Sequence, residues 1–512
     1  MPFSVKDGFI KGEKMRNKIK RILYSASIFF VITLCVSCAS NSGVEVGGVK
    51  PKKFTQEKFD EAISKGDMTD AFAMTLGKKY ANNDIIIQKM DIAMMSHYTK
   101  DYVSSSRYFN SVNEDIKNAV TQSLAKGAIA ALGNENAKEY SGSIYESHFL
   151  NVFNAFNYYN RGDLESAVAL MKDLAQKRVM YDMVALAVAN ESDEEAEKEA
   201  SADANSKLST RAAASSINVD MNAINRRSPR KPTEEDVFSD SALERYVALN
   251  FYKMQTLDRT TPIEVRGIAE QEIEQQGKLF KERCPAYDVN SDINIPEGMG
   301  RVNVLAFSGL IGRRREHATY FPGDFIDGMD FVPPVTIDEI TVPAFRLKFV
   351  FPEFERKAKK IQRVTARIGE KEIELNLLED FDSAVEKDVN TKAYKAFKRS
   401  VFRSILKKTV AVTAGAASIS AASKNGELSR LAATLAASVA IDATDLAETA
   451  DIRQVMALPS SANAGGRNLE AGTYPVSVRY FGANGNLIAE ESLGTVNVKA
   501  GKLVLMESLC IR

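Results

Sequence analysis

The sequence contains little of the chemistry that marks a metalloprotein or a nucleic-acid-binding protein. Tryptophan is absent, and the 512 residues include only three histidines and four cysteines. Because the histidines lie far apart, a His/Cys metal site is not expected, and neither HExxH nor GxxxxGK[ST] occurs. The 67 basic residues equal the 67 acidic ones, which disfavours nucleic-acid binding through overall charge. We therefore expect no metal, no small-molecule cofactor and no nucleic acid.

The N-terminus has the most specific pattern of the chain. A basic stretch that begins at Met15 precedes about 15 uncharged, mostly apolar residues over 22–36. This length suits a signal peptide and is short for a membrane span, which needs about 20 residues. Ser37 and Cys38 follow as the small residue and the cysteine of a bacterial lipoprotein signal. Cys35 stands where a strict signal of this type has an aliphatic residue.

We predict that residues 1–37 form a signal peptide, with Met15 as the true start, and that Cys38 is lipidated. Acyl chains on this cysteine would anchor the protein to the membrane. An uncleaved membrane helix and an ordinary secretory peptide are the alternatives. Loss of 1–37 removes seven basic and two acidic residues and leaves 60 basic against 65 acidic ones. This negative charge gives no attraction to anionic lipids, so membrane contact would depend on the anchor.

Beyond the anchor, the chain retains only two cysteines, Cys284 and Cys510. An exported protein folds in an oxidising compartment, where these two residues can form a disulfide. We therefore note a possible bond between them, which by itself does not make a disulfide scaffold.

The first half of the mature chain has helical periodicity. Residues 38–53 lack it and are predicted to be a lipid tether. Residues 54–190 contain similar turns at Gly66, Lys100 and Gly162, each followed by Asp. The first two turns are 34 residues apart, which is the period of a tetratricopeptide repeat, and the third breaks this period. The pattern predicts a tetratricopeptide-like array of helical hairpins, with a generic hairpin array as the alternative.

A change of composition interrupts this helical half. Residues 191–236 are rich in Ser, Ala, Asn, Asp and Arg and contain few large apolar side chains. Such a segment buries too little surface to order itself, so we expect a disordered acidic and polar insertion. Helical periodicity resumes over 237–290, which continue the helical domain.

Residues 296–512 contain short alternating runs that are typical of strands. These runs and the hairpin signal Asn484-Gly485 predict seven or eight strands, for which a β-sandwich is the economical fold. Residues 382–450 interrupt the strands with a helical insertion. Its run 409–423 is uncharged and predicts a tight pair of Ala/Ser-rich helices, with a membrane-inserting hairpin as the alternative. The expected fold is therefore multidomain α+β.

Three segments carry a family resemblance. They are RVNVLAFSGLIGRRREHATYFP from Arg301, VPAFR from Val342 and LEAGTYPVSVRYF from Leu469. Together with the helical half, they resemble a family of uncharacterised bacterial envelope lipoproteins that pair a tetratricopeptide-like front with a β-domain. The resemblance covers most of 54–510 except 191–236, and it transfers no catalytic residues.

A cluster of basic residues is the main candidate for a contact site. Arg313, Arg314 and Arg315 follow a predicted strand, near His317 and Tyr320, in a loop rich in Gly and Pro. Guanidinium groups bind phosphate and carboxylate well, so the cluster is a possible contact for an anion or for an acidic partner. A solvated loop without a ligand is the alternative.

These patterns predict a non-enzymatic, lipid-anchored protein of the bacterial cell envelope, on the periplasmic side of the outer membrane. The helical-repeat domain would act as a scaffold or regulator by binding other envelope proteins. A ligand-binding or glycan-binding lipoprotein that uses the sandwich loops is the alternative, and an envelope hydrolase is a third. The lack of Trp weakens the glycan interpretation, although Tyr and Phe can also stack.

Overall fold

The structure is a computed structural model. It describes residues 45–125, 140–189, 209–321 and 334–512 except for the single positions 141, 234, 235, 239, 338, 343 and 447, together with 194, 197 and 198. The predicted signal peptide and Cys38 lie outside the described residues, as does most of 190–208. Helices predominate in the first half of the chain and strands in the second, so the mixed α+β class is confirmed.

Helices of the first half pair through short turns. They are α1 Gln56–Lys65, α2 Met68–Gly77, α3 Ile85–Tyr98, α4 Tyr102–Ala125, α5 Ile144–Asn160, α6 Leu164–Ala189, α7 Thr210–Ser216, α8 Met221–Asn225, α9 Ala242–Leu257, α10 Ile263–Arg283 and α11 Asn290–Ile293. Hairpins form between α1 and α2, α3 and α4, α5 and α6, and α9 and α10.

The three turns singled out in the sequence share one geometry. A residue with positive φ follows the end of the helix before each turn, namely Gly66, Lys100 and Gly162 at 77°, 63° and 81°. The Asp that follows accepts the backbone N–H three residues further on, at 2.9, 3.1 and 3.0 Å respectively. A left-handed C-cap and an Asp N-cap thus satisfy the free backbone groups of two helices within a few residues.

Strands and two further helices make up the second half. They are β1 Gly300–Leu310, β2 Arg313–Phe321, β3 Val335–Ile337, β4 Ile340–Val342, β5 Leu347–Glu355, β6 Arg363–Ile368, β7 Lys371–Glu374, β8 Asn376–Asp380, α12 Phe381–Ser423, α13 Glu427–Leu446, β9 Pro459–Leu469, β10 Gly472–Phe481, β11 Leu487–Val498 and β12 Leu503–Cys510. One sheet has the order β12-β1-β9-β8 and the other β11-β10-β6-β7, while β2 pairs with β5 and β3 with β4.

Strand β1 lies at the centre of the molecule. It pairs parallel with β12 and antiparallel with β9. Val302 and Val304 pack into a core shared with β6 and β10, whereas Leu305 and Phe307 pack into the core formed with the helices. The ring of Phe307 lies 4.8 Å from that of Phe153 on α5. The order of layers is therefore helices, first sheet, second sheet, and the helical half shares a core with the β half.

Part of the segment predicted to be disordered is folded. Helices α7 and α8 lie within it, and Ala213, Ile217 and Ile224 are buried in a core that includes residues of α12. The prediction of disorder over 191–236 is wrong for this part. Large apolar residues are few here, but short helices bury small side chains well against a longer helix.

Helices α12 and α13 occupy the position of the predicted insertion, between the neighbouring strands β8 and β9. The 43 residues of α12 make a rod of roughly 65 Å. Its first part is held in the core, where Arg403 binds the buried Glu448 at 2.8 Å. Its second part packs against α13, and Val412 and Ala416 share a core with Ile441 of α13. None of the described helices is long and apolar enough to cross a bilayer.

Candidate functional site

A cleft of about 770 Å³ opens between the helices and the edges of the two sheets. The α1–α2 and α3–α4 turns, the end of α5, and strands β11 and β12 form its walls. Its polar and aromatic lining includes His97, Tyr98, Lys100, Tyr102, Tyr159, Tyr480, Glu490, Glu491, Glu507 and Arg512. Both halves of the chain therefore contribute to one polar, tyrosine-rich surface.

An ion pair between α3 and β12 joins the two walls. Glu507 Oε1 lies 2.6 Å from His97 Nε2, and Asn157 Oδ1 lies 2.7 Å from His97 Nδ1. Asn157 donates in turn to the hydroxyl of Ser105 at 2.8 Å. The imidazole also contacts the ring of Phe153 edge-on at 5.1 Å. Because protein groups occupy both ring nitrogens, the histidine connects the helices to the sheet.

Glu507 also controls the charge of this histidine. Burial by itself lowers the pKa of His97, because the buried cation loses hydration. The negative charge of Glu507 and the hydrogen bonds with Glu507 and Asn157 outweigh burial and raise the pKa of His97. The imidazole therefore keeps its proton to a higher pH than a histidine in water.

Side chains protect the edge of β12 inside the cleft. The Leu505 N–H donates to the hydroxyl of Tyr159 at 3.2 Å, and the Leu509 N–H donates to Glu491 at 2.9 Å. Glu491 also accepts the hydroxyl of Ser508 at 2.7 Å. An open edge strand pairs readily with other chains, so these contacts limit uncontrolled pairing at this edge.

Tyr102 and Arg512 lie at the side of the cleft formed by the helical turns. Burial, followed by the charges of Glu507 and Glu491, raises the pKa of Tyr102 to about 12. The guanidinium of Arg512 packs against Gly66, at a place where a Cβ would collide with it. Tyr102 thus remains a neutral phenol at physiological pH, and Arg512 adds a positive charge to a cleft with several carboxylates.

The polar side chains of the cleft offer several kinds of hydrogen-bonding group. Within the described ranges, no three or more His, Cys, Asp or Glu side chains are grouped so that they could hold a metal ion. The cleft presents hydroxyls, carboxylates and a guanidinium, which can recognise a polar partner through hydrogen bonds. The only imidazole in its lining, that of His97, has both nitrogens engaged by Glu507 and Asn157.

Arg314, one of the three arginines that were predicted to form a contact site, is buried. All three arginines lie on strand β2 and not in a loop, so this part of the prediction is wrong. Only 4% of the Arg314 side chain is exposed, and its Nη2 lies 2.9 Å from Asp388 Oδ2. The same nitrogen donates to the hydroxyl of Tyr145 at 3.2 Å. Arg314 therefore stabilises the core and is not accessible to a partner.

Arg313 and Arg315 point away from Arg314, because successive side chains of a strand alternate between its faces. Arg313 pairs with Asp60 at 2.5 Å, and Arg315 pairs with Glu355. Both pairs are partly exposed, so these two residues lie at the surface within intramolecular ion pairs. The structure does not assemble the three arginines into one anion site.

Cys284 and Cys510 are free thiols, so the possible disulfide between them is not formed. Cys284 caps the end of α10, and Cys510 lies on β12 in the core between the sheets. Burial raises the pKa of both thiols. A raised pKa keeps them protonated, which disfavours thiol exchange. Cys38, the predicted lipidation site, lies outside the described residues.

The sequence does not indicate a binding site at the residues of the cleft, although Gly66, Lys100 and Cys510 have features of turns and of a possible disulfide. His97 and Glu507 are 410 positions apart, and a histidine on a helix is most often a packing residue. One signal is available: Glu507 is the only charged residue of the mostly apolar strand LVLMESLC. A charged residue in such a strand needs a partner, although the pattern alone does not identify it.

No protein-family model, no curated protein and no solved structure matches this chain.

Proposed function

We propose that the protein is a lipid-anchored, non-enzymatic scaffold or regulator of the bacterial cell envelope that binds another envelope protein in the cleft. The observation that most supports this function is that both the helical layer and the sheets contribute residues to the lining of the cleft. The helices and their turns supply Lys100 and Tyr102, and strands supply Glu490 and Glu507, all of them at least partly exposed. A partner in the cleft therefore contacts a helical surface and a sheet edge together.

The finer description of the fold belongs to the same proposal. The shared turn geometry supports tetratricopeptide-like hairpins, and the apolar core between two four-stranded sheets supports a β-sandwich. The inner face of the helical layer is covered by the first sheet, and 13 residues of α5 are buried. We therefore assign partner binding to the cleft and not to the inner face of the helices.

Packing near the start of the described chain links the cleft to the proposed anchor. Gly47 lies against the side chain of Asp101, beside Lys100 and Tyr102 of the cleft lining. Gly47 lies nine positions after Cys38, which is at most about 30 Å of extended chain. Lipidation of Cys38 would hold the cleft close to the membrane, where an envelope partner is concentrated.

Site-specific photo-crosslinking in intact bacteria tests this function. A photoreactive residue at Lys100 or Glu490, both exposed at the cleft, should give a protein-sized adduct. The same residue at Lys278 is the matched control, because this side chain is 72% exposed on α10 and is not part of the cleft. Cys38→Ala should release the protein from the membrane fraction and reduce the adduct.

Adducts of equal yield at Lys278 would show that contact is nonspecific. A lack of adducts at both cleft positions would refute partner binding there. Retention of an unprocessed Cys38→Ala variant in the membrane would contradict the lipid anchor.

Ligand or glycan binding is the second candidate, and the tyrosines of the cleft favour it. Tyr102 and Tyr159 contribute half-buried rings to the lining, and aromatic rings with a hydroxyl combine stacking with hydrogen bonding. Calorimetric titration of the purified protein with soluble peptidoglycan oligosaccharides tests it. Saturable binding that Tyr102→Ala abolishes would favour this candidate over the scaffold.

A further inference from the structure

Helix α13 has an exposed row of large apolar side chains. Its members are Leu428, Leu431, Leu435 and Val439, which are 83%, 57%, 61% and 70% exposed. At about 100° per residue, the row occupies an arc of roughly 80° on the helix. Ala437 and Ile441, the buried residues of α13, lie on the opposite side, where α13 meets α12.

We propose that this row pairs with the same row of a second copy of the chain, with the two α13 helices antiparallel. The narrow arc is the width of a seam between two helices, and a helix that lies in a membrane surface has a wider apolar face. Ala432 and Ala436 flank the leucines, and small side chains there let two helices approach closely. Two α12–α13 hairpins would then form a four-helix bundle.

Charge supports this occupant and this direction. If the two-fold axis passes near residue 433, Leu431 of one copy faces Leu435 of the other. The same register brings Lys424, in the turn between α12 and α13, towards Asp442 of the second copy. Because the dimer is symmetric, this contact forms twice. Both side chains are exposed. In a parallel pair, Asp442 of one copy would instead lie next to Asp442 of the other, and two like charges at close range are unfavourable.

The charges of α13 argue against a lipid surface as the occupant. The helix contains three acidic residues, Glu427, Asp442 and Asp445, and one basic residue, Arg430. Helices that lie on anionic membranes have basic polar faces, because lipid headgroups attract Lys and Arg. The row and the cleft share no residues, so the dimer does not depend on the proposed function.

Sedimentation of the full-length protein in a non-ionic detergent tests the dimer. The unchanged chain should be dimeric at micromolar concentration, and Leu431→Glu with Leu435→Glu should weaken dimerisation about 100-fold or more. Both positions are exposed, so the fold does not depend on them. Ile263→Glu is the matched control, because Ile263 is a 71% exposed apolar residue on α10, and it should leave the dimer intact.

Single cysteines and a charge swap test the register. Ala432→Cys lies close to the proposed axis and should form a disulfide-linked dimer on oxidation, whereas Ala421→Cys on α12 and the unchanged chain should not. Lys424→Glu should weaken the dimer about 3- to 10-fold, and Asp442→Lys in the same chain should restore it.

A monomer at micromolar concentration, or crosslinking at Ala421→Cys alone, would overturn the dimer. Failure of the charge swap to restore a weakened dimer would overturn the antiparallel register. If the unchanged chain is monomeric and the double Glu variant instead loses binding to anionic vesicles, a lipid surface is the occupant and the proposal is wrong.

Discussion

Helices α5 and α13 are of similar length, 17 and 20 residues, but they differ in their surroundings. Helix α5 lies between other helices and the first sheet, and 13 of its residues are buried. Helix α13 packs mainly on α12, and only Ala437 and Ile441 are buried. The comparison indicates that the stability of the fold resides around α5, whereas α13 has apolar surface left for binding.

The two helices also use polar residues differently. In α5, the buried side chains of Glu146 and His148 each have partners, which are Tyr140 at 2.6 Å and Glu244 at 2.5 Å. Buried polar groups must be paired, so these contacts fix the orientation of α5. In α13, the hydroxyl of Thr434 returns to a carbonyl within the helix. Polar contacts with a neighbour lie near the end of α13, where Lys408 of α12 pairs with Asp445 at 2.9 Å and donates to the carbonyl of Ile441 at 2.7 Å.

The largest effect predicted by this comparison is that of Phe153→Ala. The ring of Phe153 is fully buried and contacts His97 and Phe307, so its removal leaves a cavity between helices and sheet. We expect the free energy of unfolding to fall by about 3–5 kcal/mol in urea titrations. Leu435→Ala is the matched control on α13. It should change the free energy of unfolding by about 0.5 kcal/mol or less in dilute protein, where the dimer does not contribute. Equal losses in the two variants would refute the comparison.

A smaller effect is expected from Glu507→Gln. The substitution leaves His97 buried without its negative partner, and we expect a loss of about 1–3 kcal/mol in the free energy of unfolding at pH 6. Glu490→Gln is the control in the same cleft. Its carboxylate is exposed, and the loss should be about 0.5 kcal/mol or less.

The effect of Glu507→Gln should depend on pH. Folding raises the pKa of His97, so its charged pair stabilises the protein fully below the ordinary histidine pKa. This stabilisation is lost as the pH rises through the raised pKa of the folded state. The difference between the unchanged protein and the Glu507→Gln variant should therefore be larger at pH 6 than at pH 9. An equal difference at pH 6 and pH 9 would show that His97 is neutral in the folded protein.

The sequence predicted local structure better than it predicted contacts between distant residues. The turns at Gly66, Lys100 and Gly162 follow from neighbouring residues, because a left-handed C-cap and an Asp N-cap are local features. The two helices between β8 and β9 also follow from periodicity. The pairing of His97 with Glu507 depends on packing α3 against β12, and no local rule specifies it.

The arginines of β2 show the same limit. Three adjacent guanidiniums suggest one basic patch, but the strand turns Arg314 into the core and leaves Arg313 and Arg315 at the surface. That outcome follows from strand alternation once β2 is known to be a strand. The Gly and Pro residues nearby favoured a loop instead. The ion-pair partners of the arginines, such as Asp388 on α12, lie far away in the sequence and could not be inferred.

The smallest predicted effect concerns a turn that differs from its two equivalents. Lys100 has a φ of 63°, whereas the matching positions are Gly66 and Gly162. A side chain is strained in this conformation and glycine is not, so Lys100→Gly should raise the free energy of unfolding by about 0.5–1 kcal/mol. Gly162→Ala is the converse control and should lower it by about 1 kcal/mol, because a Cβ there meets no neighbour and only the backbone is strained.

The reason for a strained lysine at this turn would follow from a binding measurement on the same variant. Lys100 lines the cleft, while Gly162 does not. A Lys100→Gly protein that is more stable yet loses the crosslinked partner would show that the strain is maintained for binding, since stability alone favours glycine. If the variant is more stable and retains the partner at full yield, Lys100 has no part in the interaction, and the partner contacts other groups of the cleft.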